Sequence, residues 1–254
     1  MKQEKIAISI DPQLLREVER TIDGKEVRSR SQAIELLLRK ALRGNVTTAV
    51  ILAGGPKGEE KAMRLHNGHP VLQSLIKWMA QYGINRFIIT LDSKEQRIRE
   101  YFGDGSRFNV KIYYLLEQKP SGTAGALHGC RQLVGLTFIV ANADSLFGFD
   151  LPSMVLQHER SGKVATIAVR ESSLASEYGT VEMEGNDILG FHEKTKKSRS
   201  NIISTGLYVM GADIFEYLPV IGSLERDVFP LLASQGRLGG FVFTSEWKDV
   251  ERLK

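Results

Sequence analysis

The sequence predicts an α/β protein with a doubly wound, mostly parallel sheet, preceded by a small strand–helix–helix unit that is complete only as a dimer. Three patterns carry this expectation. Residues 5–10 alternate apolar and polar side chains, and two helical repeats follow directly. From residue 48 onward strand and helix patterns alternate, the order that builds a parallel sheet with crossover helices. A short Gly44-Asn45 hinge separates the two parts, placing domains at 1–44 and 45–254.

A chain of 254 residues suits one medium domain with a small appendage. No run of about 18 apolar residues exists, so no membrane partner is expected. The N-terminus lacks the apolar stretch of a leader, and a cytoplasmic location is the expectation. Cys130 is the single cysteine and cannot form an internal disulfide; its Ala/Gly-rich surroundings read as a buried helix. Residues 1–44 hold ten Lys/Arg against seven Asp/Glu, while the rest hold 24 against 23. Most of the net charge of +4 therefore sits in the first unit, which favours an anionic partner there.

In that unit Ile6, Ile8 and Ile10 fall on one face of a strand and Lys5, Ala7 and Ser9 on the other. Asp11-Pro12 is a helix start, followed by Leu14, Leu15, Val18 and Ile22 at helical spacing and a stop at Asp23-Gly24. Ser29-Arg30-Ser31 opens a second helix carrying Ala33, Ile34, Leu37, Leu38 and Ala41. A lone strand leaves both edges unpaired, and about 40 residues bury too little apolar surface to stand alone. Pairing the strand with its copy in a homodimer solves both problems.

This order of elements resembles the ribbon-helix-helix repressors of the MetJ and Arc type. The resemblance implies a double-stranded DNA operator as partner, with Lys5, Ala7 and Ser9 facing bases and Ser29, Arg30 and Ser31 meeting backbone phosphates. The plainer alternative is a dimerisation segment whose outer strand face meets only water.

The second unit opens with Thr48-Ala49-Val50-Ile51-Leu52-Ala53-Gly54-Gly55, a buried strand running into glycines. Glycines there let a phosphate or base approach the main chain, although glycine after a strand is more often just a turn. Helices are expected at 70–82, 94–102, 123–132, 151–161 and 224–234. Strands are expected at 86–91, 110–115, 136–140 and 164–169, with a β-rich stretch over 178–210. His66, His128 and His158 lack metal-ligand spacing and read as surface residues.

Taken in order, several motifs resemble the nucleoside-triphosphate transferases that join a sugar 1-phosphate to a nucleotide. These are Ala49–Gly55, Asn67-Gly68-His69-Pro70-Val71-Leu72, Gly122-Thr123-Ala124-Gly125-Ala126-Leu127, Asn142-Ala143-Asp144, Tyr178-Gly179, Glu193-Lys194, Ser204-Thr205-Gly206 and Trp247-Lys248-Asp249. The resemblance covers roughly residues 47–250 and implies a Rossmann-like nucleotidyltransferase fold. It further implies that Leu52, Ala53, Gly54, Gly55, Gly122, Thr123 and Ala124 surround a nucleotide, with Glu117 or Gln118 reading the base edge. Gly179, Glu193, Lys194 and Gly206 would form the sugar-phosphate pocket, and Asp144 and Asp249 would hold magnesium. Asp144 alone is equally well read as a helix cap, and Glu193-Lys194 as an exposed ion pair.

The match breaks at the triphosphate loop. Here it runs Gly54-Gly55-Pro56-Lys57-Gly58-Glu59-Glu60-Lys61, several residues short and without the family's Thr-Arg pair. Glu59 and Glu60 fall where phosphates are expected, and like charges oppose each other. Lys61 is the candidate catalytic lysine, with Lys57 a stand-in for the arginine. The sequence therefore favours a transcriptional regulator whose second domain senses a nucleotide, sugar phosphate or nucleotide-sugar. The alternative is an active, magnesium-dependent sugar-1-phosphate nucleotidylyltransferase.

Overall fold

The structure, a computed structural model, describes residues 7–24, 27–43, 46–195 and 200–250. The chain divides into two compact units, residues 1–45 and 46–254. In the first, helices α1 (Pro12–Glu19) and α2 (Arg30–Arg43) pack together. Asp11 accepts hydrogen bonds from the amides of Gln13 and Leu14 at 2.8 and 3.3 Å and so caps α1. Ser29 caps α2 in the same way, accepting from the Gln32 amide at 3.2 Å. Helix α1 ends short of Asp23-Gly24 because the Thr21 and Ile22 amides turn back onto Val18 and Glu19 carbonyls.

Two observations bear on the ribbon expected in this unit. Residues 7–10 form no strand within a single chain, since a strand exists only by pairing, and Ala7 and Ser9 are exposed. Lys5 and Ile6 lie outside the described residues. Arg30 lies against α1, its Nε 2.7 Å from Glu19 Oε1, a pair that a phosphate would have to displace. That exposed pair is worth about 0–1 kcal/mol and is easily given up. Among the described residues of the unit only Val18 and Ala33 are buried hydrophobics, whereas Ile8, Leu14 and Leu38 stay more than half exposed.

The second unit runs β1 (Thr48–Leu52), α3 (Gly58–Ala62), β2 (Leu65–His66), β3 (His69–Pro70), α4 (Val71–Ala80), β4 (Arg86–Asp92), α5 (Arg97–Phe102) and β5 (Lys111–Glu117). It continues with α6 (Gly122–His128), β6 (Thr137–Asn142), β7 (Ser145–Phe147), α7 (Leu151–Ser161), β8 (Ala165–Glu171), β9 (Thr180–Glu184) and β10 (Asp187–His192). The closing elements are β11 (Ile202–Gly211), α8 (Phe229–Ser234), β12 (Leu238–Val242) and β13 (Trp247–Asp249). Nine strands form one sheet in the order β5-β4-β1-β6-β11-β8-β12-β10-β9.

Alternate residues of β1 enter two cores. Ala49 and Ile51 pack with Leu72, Leu75, Ile76 and Met79 of α4, while Val50 and Leu52 join Leu127 of α6 and Phe229 of α8. Burial on both faces is what the unbroken apolar run of β1 demands. Strands β4 and β6 flank β1 on opposite sides, both parallel to it, so crossovers diverge there and leave a crevice at the strands' carboxyl ends.

The sheet is less parallel than expected. β11 runs antiparallel to both β6 and β8, and β9–β10 is a hairpin; from β8 the chain reaches β11 through β9 and β10 with no crossover α-helix between. The expected 224–234 helix begins instead as a single π turn over Leu224–Val228 before α8, where Pro230 removes an amide. His158 is buried, with Nδ1 2.9 Å from Thr166 Oγ1, and is not a surface residue. Cys130 is buried as expected, and burial pushes its thiol up to about 12.

Leu75 is fully buried in the α4 face of the core. Leu75→Ala is expected to cost about 2–5 kcal/mol, read as a lower urea midpoint with unchanged slope.

Candidate active site

The crevice floor begins where β1 runs out. Ala53 is still tied to the sheet, its amide donating to the Thr90 carbonyl at 3.1 Å. The chain then turns sharply: Gly55 and Lys57 both take left-handed backbone angles. A Cβ at Gly58 would lie 2.0 Å from the Ala53 carbonyl oxygen, so only glycine lets the loop fold back and start α3. The shortened loop is thus a compact turn.

That turn corrects the expectation for Glu59. Its Oε1 accepts from the Ile98 amide at 3.1 Å, capping the start of α5, and its own amide donates to Glu95 Oε1 at 3.1 Å. Glu59 is therefore part of the scaffold rather than a charge aimed at phosphates. Glu60 and Lys57 are exposed. Lys61, on the last turn of α3, places Nζ 3.7 Å from Asp144 Oδ2.

Lys61 and Asp144 line a cavity of about 540 Å³ that also takes in Asp249. Asp144 follows β6 and precedes β7; β13 pairs antiparallel with β7, setting Asp249 opposite Ser145. The Val250 amide donates to the Asp144 carbonyl at 2.9 Å, which locks the two aspartates' backbones together. Tyr178 donates from its hydroxyl to Asp249 Oδ2 at 3.0 Å, and its ring meets Trp247 edge-on at 5.4 Å.

The cavity wall elsewhere is lined by Gly179, Glu193, Lys194 and Gly206. A Cβ at Gly206 would come within 2.6 Å of Asn142 Nδ2, and its φ of +79° is one that side chains resist. At Gly179 a Cβ would strike Phe191. Burial, reinforced by the charge of Glu225, holds the Glu193 carboxyl above the usual carboxylate range, against Lys194 and Arg226. Lys194 Nζ stands 4.0 Å from Glu193 Oε1.

One cavity thus gathers Lys61, Thr123, Asp144, Gly179, Glu193, Lys194, Gly206 and Asp249 from distant parts of the chain. Leu52, Ala53, Gly54, Gly55, Glu117, Gln118, Gly122 and Ala124 do not line it. They cluster at the ends of β1 and β5 and the start of α6, where a Cβ on Gly54 would lie 3.0 Å from Glu117 Oε2. Glu117 accepts from the Ser121 amide at 3.2 Å, whereas Gln118 is exposed. The Ala124 amide already donates to the Gly222 carbonyl at 3.0 Å, and the Thr123 hydroxyl to Glu225 Oε2 at 2.8 Å, so neither donor is open. Sequence reasoning missed Tyr208 and Glu225, which carry no local motif.

Two carboxylates beside a phosphate-sized space suit magnesium, which binds through one or two carboxylates plus substrate phosphates and water. No group of three or more His, Cys, Asp or Glu side chains placed to hold a metal ion occurs among the described residues. No helix among those residues is long and apolar enough to cross a membrane.

Acidic, basic and glycine-lined walls meet near the carboxyl ends of the strands, where doubly wound sheets place their ligand crevice. Residues 48–254 match the nucleotidyl transferase family, and the chain belongs to that family. It is 31% identical to a UTP–glucose-1-phosphate uridylyltransferase of Synechocystis, over 72% of this chain and 53% of that protein. It is 30% identical to a mannose-1-phosphate guanylyltransferase of Mycobacterium tuberculosis, over 80% of this chain and 60% of that one. The chain therefore spans only about half to three-fifths of these relatives. Among solved structures, HddC from Yersinia pseudotuberculosis complexed with GMP-PN matches with a TM-score of 0.69 at 25% identity, over 81% of this chain and 94% of that one.

The raised Glu193 carboxyl has a consequence for stability. The folded protein holds this proton to higher pH than the unfolded chain, so stability falls as pH rises from the ordinary carboxylate range through the raised value. Glu193→Gln is expected to raise the urea midpoint above that window and to lose the advantage below it, in denaturation series over roughly pH 3 to 8.

Proposed function

We propose that the second unit is a magnesium-dependent sugar-1-phosphate nucleotidylyltransferase. The observation that carries this reading is the meeting of Lys61, Asp144 and Asp249 in one cavity with Glu193 and Lys194. In the reaction an oxygen of the sugar phosphate attacks the α-phosphorus of a nucleoside triphosphate. The new P–O bond forms as the α–β bridging bond breaks, and pyrophosphate leaves with the electron pair. Lys61 neutralises charge on the phosphoryl oxygens, Lys194 binds the sugar phosphate and Glu193 accepts from sugar hydroxyls. Asp144 and Asp249 hold the magnesium, which supplies further charge neutralisation there. The nucleotide lies along Gly54, Gly55 and Gly122, beside Glu117.

This reading is preferred to the sensor-regulator. The case for a disabled triphosphate loop rested on its shortening, the missing Thr-Arg pair, Glu59 and Glu60; of these, Glu59 is occupied by the Ile98 amide, while the others stand. The named relatives are a glucose-1-phosphate uridylyltransferase and a mannose-1-phosphate guanylyltransferase. The deciding assay incubates the protein with magnesium, a nucleoside triphosphate and glucose or mannose 1-phosphate. Pyrophosphate release is expected, and Lys61→Ala is expected to slow it roughly 10²–10³-fold. No release with any triphosphate would leave the domain a binder only.

A second reading concerns residues 1–44, the dimerisation and DNA-binding domain of the proposal. Exposed Ile8, Leu14 and Leu38 on a unit with only two buried hydrophobics among its described residues favour pairing with a second copy. Such a dimer would bring Lys5, Ala7 and Ser9 onto one ribbon, and Ser29 and Ser31 to duplex phosphates. The protein is expected to run as a dimer by light scattering and Ile8→Lys as a monomer without DNA gel shift, since the new charge would be buried. A dimeric Ile8→Lys protein would remove the ribbon.

A further inference from the structure

We infer that Glu225 sets the sugar specificity of the cavity: with Glu193 it forms an acceptor surface that takes an uncharged, polyhydroxylated ring and turns away one bearing a carboxylate. The inference rests on the sugar-1-phosphate reading and deepens it.

Glu225 lies on the π turn Leu224–Val228, a conformation seen often at functional sites. Ser223 starts that turn, its hydroxyl accepting from the Glu225 and Arg226 amides at 3.2 Å each. The side chain lines the cavity, and three neutral hydroxyls hold it. Thr123 and Ser223 both donate to Oε2 at 2.8 Å, and Tyr208 donates to Oε1 at the longer distance of 3.3 Å. The Leu224 amide in turn donates to the Thr123 hydroxyl at 2.8 Å, so Thr123 cannot swing away without breaking the turn.

A carboxylate offers about four lone-pair positions. Oε2 is filled by two donors, while Oε1 holds one long bond and keeps room for another. No lysine or arginine among the described residues hydrogen-bonds Glu225, whose three partners are neutral hydroxyls; the charges of Lys194 and Arg226 act on its neighbour Glu193. Glu193 is near enough to feel the charge of Glu225, as its own raised carboxyl records. Two neighbouring carboxylates, one of them with acceptor room left on Oε1, are best satisfied by a ligand presenting several hydroxyls. A ring carboxylate at the same place would add a third negative charge and no hydrogen to share.

The test is calorimetric titration of the full chain, without nucleotide, using glucose 1-phosphate, mannose 1-phosphate and glucuronic acid 1-phosphate. The wild-type protein is expected to bind a hexose phosphate roughly tenfold or more tighter than the uronate. Glu225→Gln is expected to shrink that ratio, whereas Tyr208→Phe, which keeps the carboxylate, preserves it. If a hexose phosphate binds and the uronate binds equally well, or if Glu225→Gln keeps the ratio, the inference fails and the sugar-phosphate reading stands. If none of the three binds, the sugar-phosphate reading fails and takes the inference with it. Should Glu225→Gln not fold, the wild-type ratio decides alone.

Discussion

Burial of β1 on both faces is the constraint from which the rest of the second unit follows. Ala49 and Ile51 require cover from α4, and Val50 and Leu52 require it from the opposite face. Helices must therefore lie on both sides of the sheet, and right-handed crossovers carry the chain away from β1 in two directions. Their divergence between β4 and β6 leaves loops at the carboxyl ends with no strand to pack on. The glycines that follow Ala53 keep that space open, and the cavity opens beside it.

The polar site depends on a much smaller device. Strands β7 and β13 pair through only three residues each, yet this pairing carries Asp249 to the neighbour of Asp144. Arg64 supports it by donating to the Val250 carbonyl at 2.9 Å, and the Val250 amide reaches back to Asp144. Tyr178 then holds the Asp249 carboxylate, while Lys61 Nζ stands 3.7 Å from that of Asp144. Such preorganisation is what electrostatic assistance to phosphoryl chemistry requires.

Much of this architecture is legible in the residues alone. Helix 151–161 and the strands near 86–91 and 164–169 follow from apolar spacing, because core burial imposes that spacing. Other elements escape the pattern for physical reasons. Strand β12 carries Gly239 and Gly240 and shows no apolar alternation, yet a Cβ at Gly240 would collide with Met183, so glycine there serves packing. Strands β7 and β13 are too short to show any period. Residues 7–10 of the expected strand form none among the described residues, since sequence can supply alternation but not a pairing strand's hydrogen bonds.

The sequence by itself determined the two-unit organisation it predicts, the transferase resemblance and the candidates Lys61, Asp144, Glu193, Lys194 and Asp249, since each sits in a short motif. Only the tertiary structure decided what those side chains face. Glu59 looks like a charge in a phosphate loop until Ile98, 39 residues away, is seen donating to it. Thr123 looks like a base contact until Glu225, 102 residues away, is seen accepting from it. Glu225 itself has no motif, and its position comes from a π turn, a buried tyrosine and a distant helix start. Local propensity fixes backbone direction within a few residues, but the partner of a polar side chain is chosen by folding, which brings remote donors within hydrogen-bond reach.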